Sequence, residues 1–260
     1  MDADSLAVIA VTEEGARLAH LISGELNAEL YLPESMARQN ATPYSSLKEC
    51  FASLMSGKTG IVAVMAQGIV TRMVAPHLKS KYEDPAVVTC DEVGRFAIST
   101  LSGHEGGANL LAHAVASVTG ATPVITTATE ANRRCIIGIG CRRGTGKDEI
   151  IHAVKSACAN ARISVSDLRL AASAWVKKDE AGLQEAVREL GLYIRFLPKK
   201  AYQNSLYRFT NYDAPMRHFG IPGVAEPSAI LAAMSPKLIL KRTVFGSVTA
   251  AVVREEIYYG

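Results

Sequence analysis

Short apolar runs of strand length alternate with stretches of helical period along most of the chain, the sequence pattern of an α/β fold. Residues 6–11 read as a first strand, and residues 13–26 as a helix that buries Ala16, Leu18, Ala19 and Ile22. A short strand at 27–32, a Pro/Ser/Asn loop and a helix near 46–55 follow. The run GIVAVMA at 60–66 is almost continuously apolar, as expected of a strand covered on both faces. A helix near 69–79 contains Pro76, which should kink or end it. AVVTC (86–90) and RFAIS (95–99) bracket DEVG, a hairpin signal. A helix at 108–118 and a strand at 122–127 close this half.

After TTATEANRR the pattern restarts. Strands are predicted at 135–140, 170–174, 193–197, 237–241 and 249–254, and helices at 147–161, 180–190 and 224–234. The expectation is two three-layer α/β/α domains joined by a short linker, residues 1–130 and 131–260, with the boundary inside residues 128–134. No internal repeat stands out.

Composition changes this picture little. The 260 residues are 48% hydrophobic and 20% charged, with a net charge of +3. That bias is too small to argue for nucleic acid, so any preference for anions is local. The five cysteines include no CxxC pair, which points to reduced thiols in a cytoplasmic protein. The acidic start enters a strand pattern at once and carries no signal-peptide pattern. The longest apolar stretch, IVAVMAQGIV, is cut by Gln67 and Gly68, so no membrane span is expected.

In each half a glycine-rich loop sits where a strand hands over to a helix. Ligands of open α/β sheets bind outside the carboxyl ends of the strands, and two such loops suggest a cleft between the domains. The first loop reads LSGHEGGAN (101–109). A zinc-protease helix needs HExxH on one continuous helix, but Ala108 stands where the second histidine belongs, and Gly106 and Gly107 oppose a helix through the site. No metal site is expected. His104 and Glu105 instead precede a helix whose first free N–H groups come from Gly107, Ala108 and Asn109, with the Ser102 hydroxyl beside them. That arrangement suits a carboxylate, a phosphate or a carbonyl oxyanion, with His104 or Glu105 moving a proton. The competing account makes Ser102 a cap and the glycines a turn. His113 reads as structural.

The second loop, GIGCRRGTGKDEI (138–150), departs from known nucleotide motifs. A Walker loop needs glycine at Cys141 and Ser or Thr at Asp148, and GxGxxG needs glycine at Arg143. The spacing Gly140, Gly144, Gly146 resembles that of short-chain dehydrogenases, with Asp167 a weak acidic partner. Arg142 and Arg143 suggest carboxylate clamps. Cys141 is a nucleophile if its pKa is lowered, otherwise a small residue fitting a turn. Arg72, His77, Lys79 and Lys81 add positive charge after the third strand or form a solvated face. Glu226 opens the helix in GIPGVAEPSA, where dipole compensation explains it. Tyr202, Tyr207, Arg208 and Tyr212 fall in a stretch without a clear pattern.

The strings AQGIVTRMVAPHLKSKYEDPAVV, STLSGHEGGANLLAH and PVITTATE resemble the N-terminal domain of the cobalt-precorrin-5A hydrolase family, the cobalamin-biosynthesis protein CbiG. GIGCRRGT and GIPGVAEPSAIL are similar to its C-terminal domain. The resemblance implies an enzyme that opens a δ-lactone on cobalt-precorrin-5A and expels acetaldehyde to give cobalt-precorrin-5B. It implies a large polycarboxylate tetrapyrrole as substrate, and no protein cofactor, because the cobalt belongs to that substrate; His104 is a candidate axial ligand for it. Mapped onto this chain, His104 or Glu105 transfers protons, with Glu226 a second base candidate. The N–H groups of Gly106 and Gly107 hold the oxyanion. Asn109 and Thr127 orient water or the lactone, and Arg142 and Arg143, with Arg72, meet carboxylates. Many members carry a further segment between the domains, which is missing here, so the resemblance leaves either one chain or a homodimer to complete the cleft. Two rival classes are a non-catalytic corrinoid carrier and a nucleotide-dependent oxidoreductase.

Overall fold

The computed structural model describes residues 5–37 and 40–256, and the chain divides into two compact units, Met1–Thr127 and Ala128–Gly260. In the first unit the order is β1 (Leu6–Ala10), α1 (Glu13–Leu26), β2 (Glu29–Pro33), β3 (Thr42–Tyr44), α2 (Leu47–Gly57), β4 (Gly60–Val64), α3 (Gln67–Val74), β5 (Ala86–Cys90), β6 (Phe96–Leu101), α4 (Ala108–Thr119) and β7 (Thr122–Val124). Seven strands form one sheet in the order β3-β2-β1-β4-β5-β6-β7. All neighbours are parallel except β5 and β6. Every residue of β1, β4 and β5 is buried, because helices cover both faces: α1 and α4 pack on one, α2 and α3 on the other.

The local chemistry sets the element ends. Thr12 caps α1 by accepting the Gly15 N–H, and Ser46 caps α2 through the Glu49 N–H. Pro76 ends α3 at Val74 and leaves a single 3₁₀ turn, Ala75–His77. Three expectations change. The Pro/Ser/Asn loop contains a short strand, β3. The strand expected at 122–127 stops at Val124, leaving Thr127 in a loop. The stretch around Tyr202 and Tyr212 contains two short helices.

The second unit runs α5 (Ala128–Asn132), β8 (Cys135–Cys141), α6 (Lys147–Asn160), β9 (Leu168–Ala174), α7 (Ala181–Glu189), β10 (Tyr193–Leu197), α8 (Lys199–Gln203), α9 (Asp213–Phe219), α10 (Ala225–Ala232), β11 (Pro236–Phe245) and β12 (Val248–Glu255). Its sheet order is β10-β9-β8-β12-β11, with β12 antiparallel to both neighbours. Helices α6 and α7 cover one face and α10 the other, so each unit has three α/β/α layers. Among the described residues no helix is long and apolar enough to cross a membrane.

One turn governs where the first glycine loop lies. Between β5 and β6, Asp91 accepts the N–H groups of Arg95 at 2.8 Å and Phe96 at 2.7 Å and pairs with the Arg95 guanidinium at 3.0 Å. Gly94 takes the positive φ of 70° that closes the hairpin. Partial burial pushes the Asp91 carboxyl up, but the Phe96 N–H and the two Arg95 contacts outweigh it and hold the carboxyl below its ordinary range. A group depressed on folding stabilises above its unfolded pKa and stops doing so as pH falls through its folded value. Asp91→Asn should therefore cost about 1 kcal/mol at neutral pH, with the gap to the parent closing below about pH 4; urea melts across pH check this, and a pH-independent gap refutes it.

Candidate functional site

Because β6 runs against β5, Leu101 lies opposite Val87 near the start of β5. The loop Ser102–Gly107 consequently sits at the amino edge of the five parallel strands, not at their carboxyl edge where the strand-to-helix rule for parallel sheets points. The turn that enters β5, residues 79–85, and the loop after β7 reach the same edge. Helix α4 begins only at Ala108, with Gly107 as its N-cap at φ 89°. His104 and Glu105 thus stand in the loop, off the helix that a zinc motif requires. Among the described residues no cluster of His, Cys, Asp and Glu side chains is arranged to hold a metal ion.

The loop folds back on itself. Ser102 takes a left-handed φ of 56°, a conformation that costs a non-glycine residue on the order of 1 kcal/mol. Its carbonyl accepts the Ala108 N–H at 3.1 Å, and the Gly103 carbonyl accepts the Asn109 N–H at 2.9 Å. Two of the three N–H groups expected to be free at the start of α4 are therefore committed. Those of Gly106 and Gly107 make no hydrogen bond among the described residues. The Ser102 hydroxyl caps nothing: the residue is 8% exposed, and its Oγ has no partner among the described residues. It faces Gly106, where an added Cβ would come within 2.4 Å of the Ser102 Cβ and 3.3 Å of its Oγ.

Asn109 has a different task from orienting water. It is fully buried; its Oδ1 accepts from Ser99 Oγ at 2.8 Å and its Nδ2 donates to Thr127 Oγ1 at 3.1 Å. The same group leaves no room for a side chain at Gly103, whose Cβ would meet Asn109 Oδ1 and Thr127 Cγ2 at 2.9 Å. Asn109 thereby ties β6, the loop and the segment after β7 together. His113, further along α4, is 1% exposed and belongs to the interior.

His104 is exposed and makes no hydrogen bond among the described residues. Glu105 is held by Lys81, whose Nζ lies 2.7 Å from Oε1, with side-chain exposures of 59% and 35%. The Lys81 ammonium pulls the Glu105 carboxyl below its usual range, which makes it a weaker proton acceptor while the pair is intact. Arg72 is not part of this group. Its guanidinium turns back onto the Gly68 carbonyl at 3.3 Å in the first turn of α3, at the carboxyl edge.

In the second unit the glycines serve packing. A Cβ on Gly138 would fall 1.8 Å from the Ala225 carbonyl oxygen, and one on Gly140 2.7 Å from Thr249 Oγ1 and 3.2 Å from Val224 Cβ. Helix α10 occupies the space that a ligand would need there. The Gly144 N–H donates to Glu180 at 2.9 Å, so the loop closes on the protein's own carboxylate instead of a phosphate. Burial pushes the Cys141 thiol up, the opposite of an activated nucleophile. Arg142 and Arg143 are exposed, and neither guanidinium makes a hydrogen bond or ion pair among the described residues. Glu226 accepts the Arg242 N–H at 2.9 Å where β11 slips register, and the Arg242 guanidinium stacks 4.3 Å from the Tyr212 ring. Tyr202 is buried against Ser228, while Tyr207 is half exposed.

The fold defines a two-unit α/β protein whose first unit carries the His104–Glu105 loop with two uncommitted backbone N–H groups. The chain belongs to the cobalamin synthesis G family: the model of that family's N-terminal domain matches residues 49–130 and that of its C-terminus residues 135–253. It is 36% identical over 134 residues to the cobalt-precorrin-5A hydrolase of Salmonella typhimurium, a match covering 50% of this chain and 37% of that one. The cobalt-precorrin-5A hydrolase of Priestia megaterium is 24% identical over 352 aligned positions, covering 95% of this chain and 94% of the relative. That alignment is longer than the chain itself, so the relative carries sequence with no counterpart here. Among solved structures, the cobalamin biosynthesis protein chiG of Agrobacterium tumefaciens is 30% identical over 47% of this chain and 99% of its own, with a TM-score of 0.38.

Asn109→Ala leaves the Ser99 and Thr127 hydroxyls without their amide partner and should cost about 1–3 kcal/mol. Urea unfolding reads the loss, and faster hydrogen exchange should be confined to residues near 103 and 125–127; unchanged stability contradicts the assigned task.

Proposed function

We propose that the protein is a cobalt-precorrin-5A hydrolase of cobalamin biosynthesis. The observation that carries this reading is the pair of family matches across both units, joined to a loop that leaves two backbone donors uncommitted beside an exposed histidine and an ionised glutamate. Water, deprotonated by His104 or Glu105, attacks the lactone carbonyl, and the Gly106 and Gly107 N–H groups take the oxyanion. Collapse of the tetrahedral species breaks the acyl carbon–oxygen bond, and the released alkoxide takes a proton. That alcohol then loses its proton again, its carbon–carbon bond breaks to leave acetaldehyde, and the ring carbon accepts the electron pair and a proton. Thr127, at the loop's margin, orients the lactone, with Asn109 acting through it, and Ser102 adds a hydroxyl donor. Arg142 and Arg143, and Arg72 on its separate edge, carry guanidinium groups suited to carboxylates.

The test is release of acetaldehyde from anaerobically prepared cobalt-precorrin-5A. His104→Ala or Glu105→Gln, whichever removes the proton carrier, should lower turnover by about 10²-fold or more. If both retain full rate, the role passes to Glu226. Tight binding without acetaldehyde makes the protein a carrier, and a nicotinamide requirement makes it an oxidoreductase.

On the same reading the protein is cytoplasmic and has no cofactor of its own, the cobalt arriving within the substrate, and it acts either as one chain or as a homodimer. Light scattering that returns the single-chain mass of 27.8 kDa overturns the dimer, and turnover lost on chelation and restored by an added metal ion overturns the second point.

A further inference from the structure

Lys81 is the one cation that the fold brings into contact with the Ser102–Gly107 loop among the described residues, and no spacing along the chain links the two. Its backbone is fixed by a compact turn. The Lys79 N–H donates to Asp84 Oδ1 at 2.9 Å, and the Glu83 and Asp84 N–H groups donate to the Ser80 carbonyl at 3.1 and 2.9 Å. Asp84 is itself 8% exposed. The side chain leaves this base into solvent and reaches Glu105 at 2.7 Å. An ion pair this exposed is weak and exchanges readily.

A second, independent feature marks the same loop as a place for an anion. The Ser102 hydroxyl, more than nine-tenths buried and without a partner among the described residues, faces Gly106. Two uncommitted N–H groups and a hydroxyl thus stand in the loop just before a twelve-residue helix, whose N-terminal end favours negative charge, and the Lys81 ammonium reaches the same loop at Glu105. The one anion present is the carboxylate of Glu105. The protein's own side chain already reports which group the ammonium accepts.

We propose that Lys81 is a specificity residue that binds a peripheral carboxylate of the substrate, taken in exchange for Glu105. In the free protein Glu105 occupies the ammonium; an incoming acetate or propionate side chain replaces it, and the released Glu105 turns to the reacting carbonyl. Substrate binding and exposure of the base are thereby one event, so a ligand without the carboxylate leaves Glu105 tethered. This inference rests on the polycarboxylate tetrapyrrole reading given above, and its test is a binding measurement that does not depend on turnover.

Full-length protein is titrated anaerobically with cobalt-precorrin-5A and binding is followed by absorbance. Lys81→Gln should raise Kd about fivefold, the scale of one exposed charge contact, and Lys81→Arg should restore most of the loss. Lys79→Gln, two residues away in the same turn, should leave Kd unchanged. Glu105→Gln should lower Kd, because the internal competitor is gone. Added salt should weaken binding by the parent protein more than by Lys81→Gln. The inference is overturned if Lys81→Gln binds as the parent does, if Lys79→Gln loses as much, or if Glu105→Gln binds more weakly. A parent protein that binds but releases no acetaldehyde sinks the hydrolase reading while Lys81 is still judged by these titrations; one that does not bind sinks both.

Discussion

The reversal of chain direction between β5 and β6 is the constraint on which the rest of the first unit depends. Five parallel strands would carry the next strand-to-helix loop to their carboxyl edge. The Asp91–Gly94 turn, fixed by a carboxylate that satisfies two backbone N–H groups, sends β6 the other way, and the His104–Glu105 loop emerges at the amino edge instead. There it meets the turn that enters β5. Lys81 and Glu105, 24 positions apart, become neighbours for no other reason.

A loop built around four glycine and serine positions needs something to hold its shape, and Asn109 supplies it. Its amide is spent entirely on Ser99 and Thr127, so the residue fixes the geometry of the loop and leaves the chemistry to others. The glycines divide the work differently. Gly107 takes a backbone angle that starts α4, while Gly103 and Gly106 make room for Asn109 and for the Ser102 side chain. In the second unit, Gly138 and Gly140 make room for a helix. Glycine density alone does not separate these cases; what fills the space over each Cα does.

Most of the fold was legible because its central strands are covered on both faces and read as unbroken apolar runs, and because α1, α4 and α6 carry a clear helical period. β3, α8 and α9 were not. β3 is three residues with no buried side chain, and the two helices hold one buried residue between them, so no pattern of burial could announce them. The candidate site was half legible. The loop and the free Gly107 amide followed from residue types at a helix start, while the Gly106 amide entered only through the family resemblance. That Ala108 and Asn109 would spend their N–H groups on Ser102 and Gly103, or that Glu226 would serve a slipped strand, depends on the backbone path. The contact of Lys81 with Glu105 is the instructive miss, since Lys81 was read only as nearby charge or a solvated face: the Asp-Glu-Val-Gly hairpin was read correctly, and carrying its geometry one step further places the end of β6 beside residues 79–85.

The relatives' extra length sharpens what the loop requires. Alignment with the Priestia megaterium protein runs over 352 positions, yet the matched family segments here lie close together, ending at 130 and resuming at 135. Among the described residues, the loop's contacts to Lys81, Ala108 and Asn109, and those of the Asn109 amide to Ser99 and Thr127, all close within Met1–Thr127. The contacts that fix the loop and pair Glu105 with Lys81 therefore lie within the first unit.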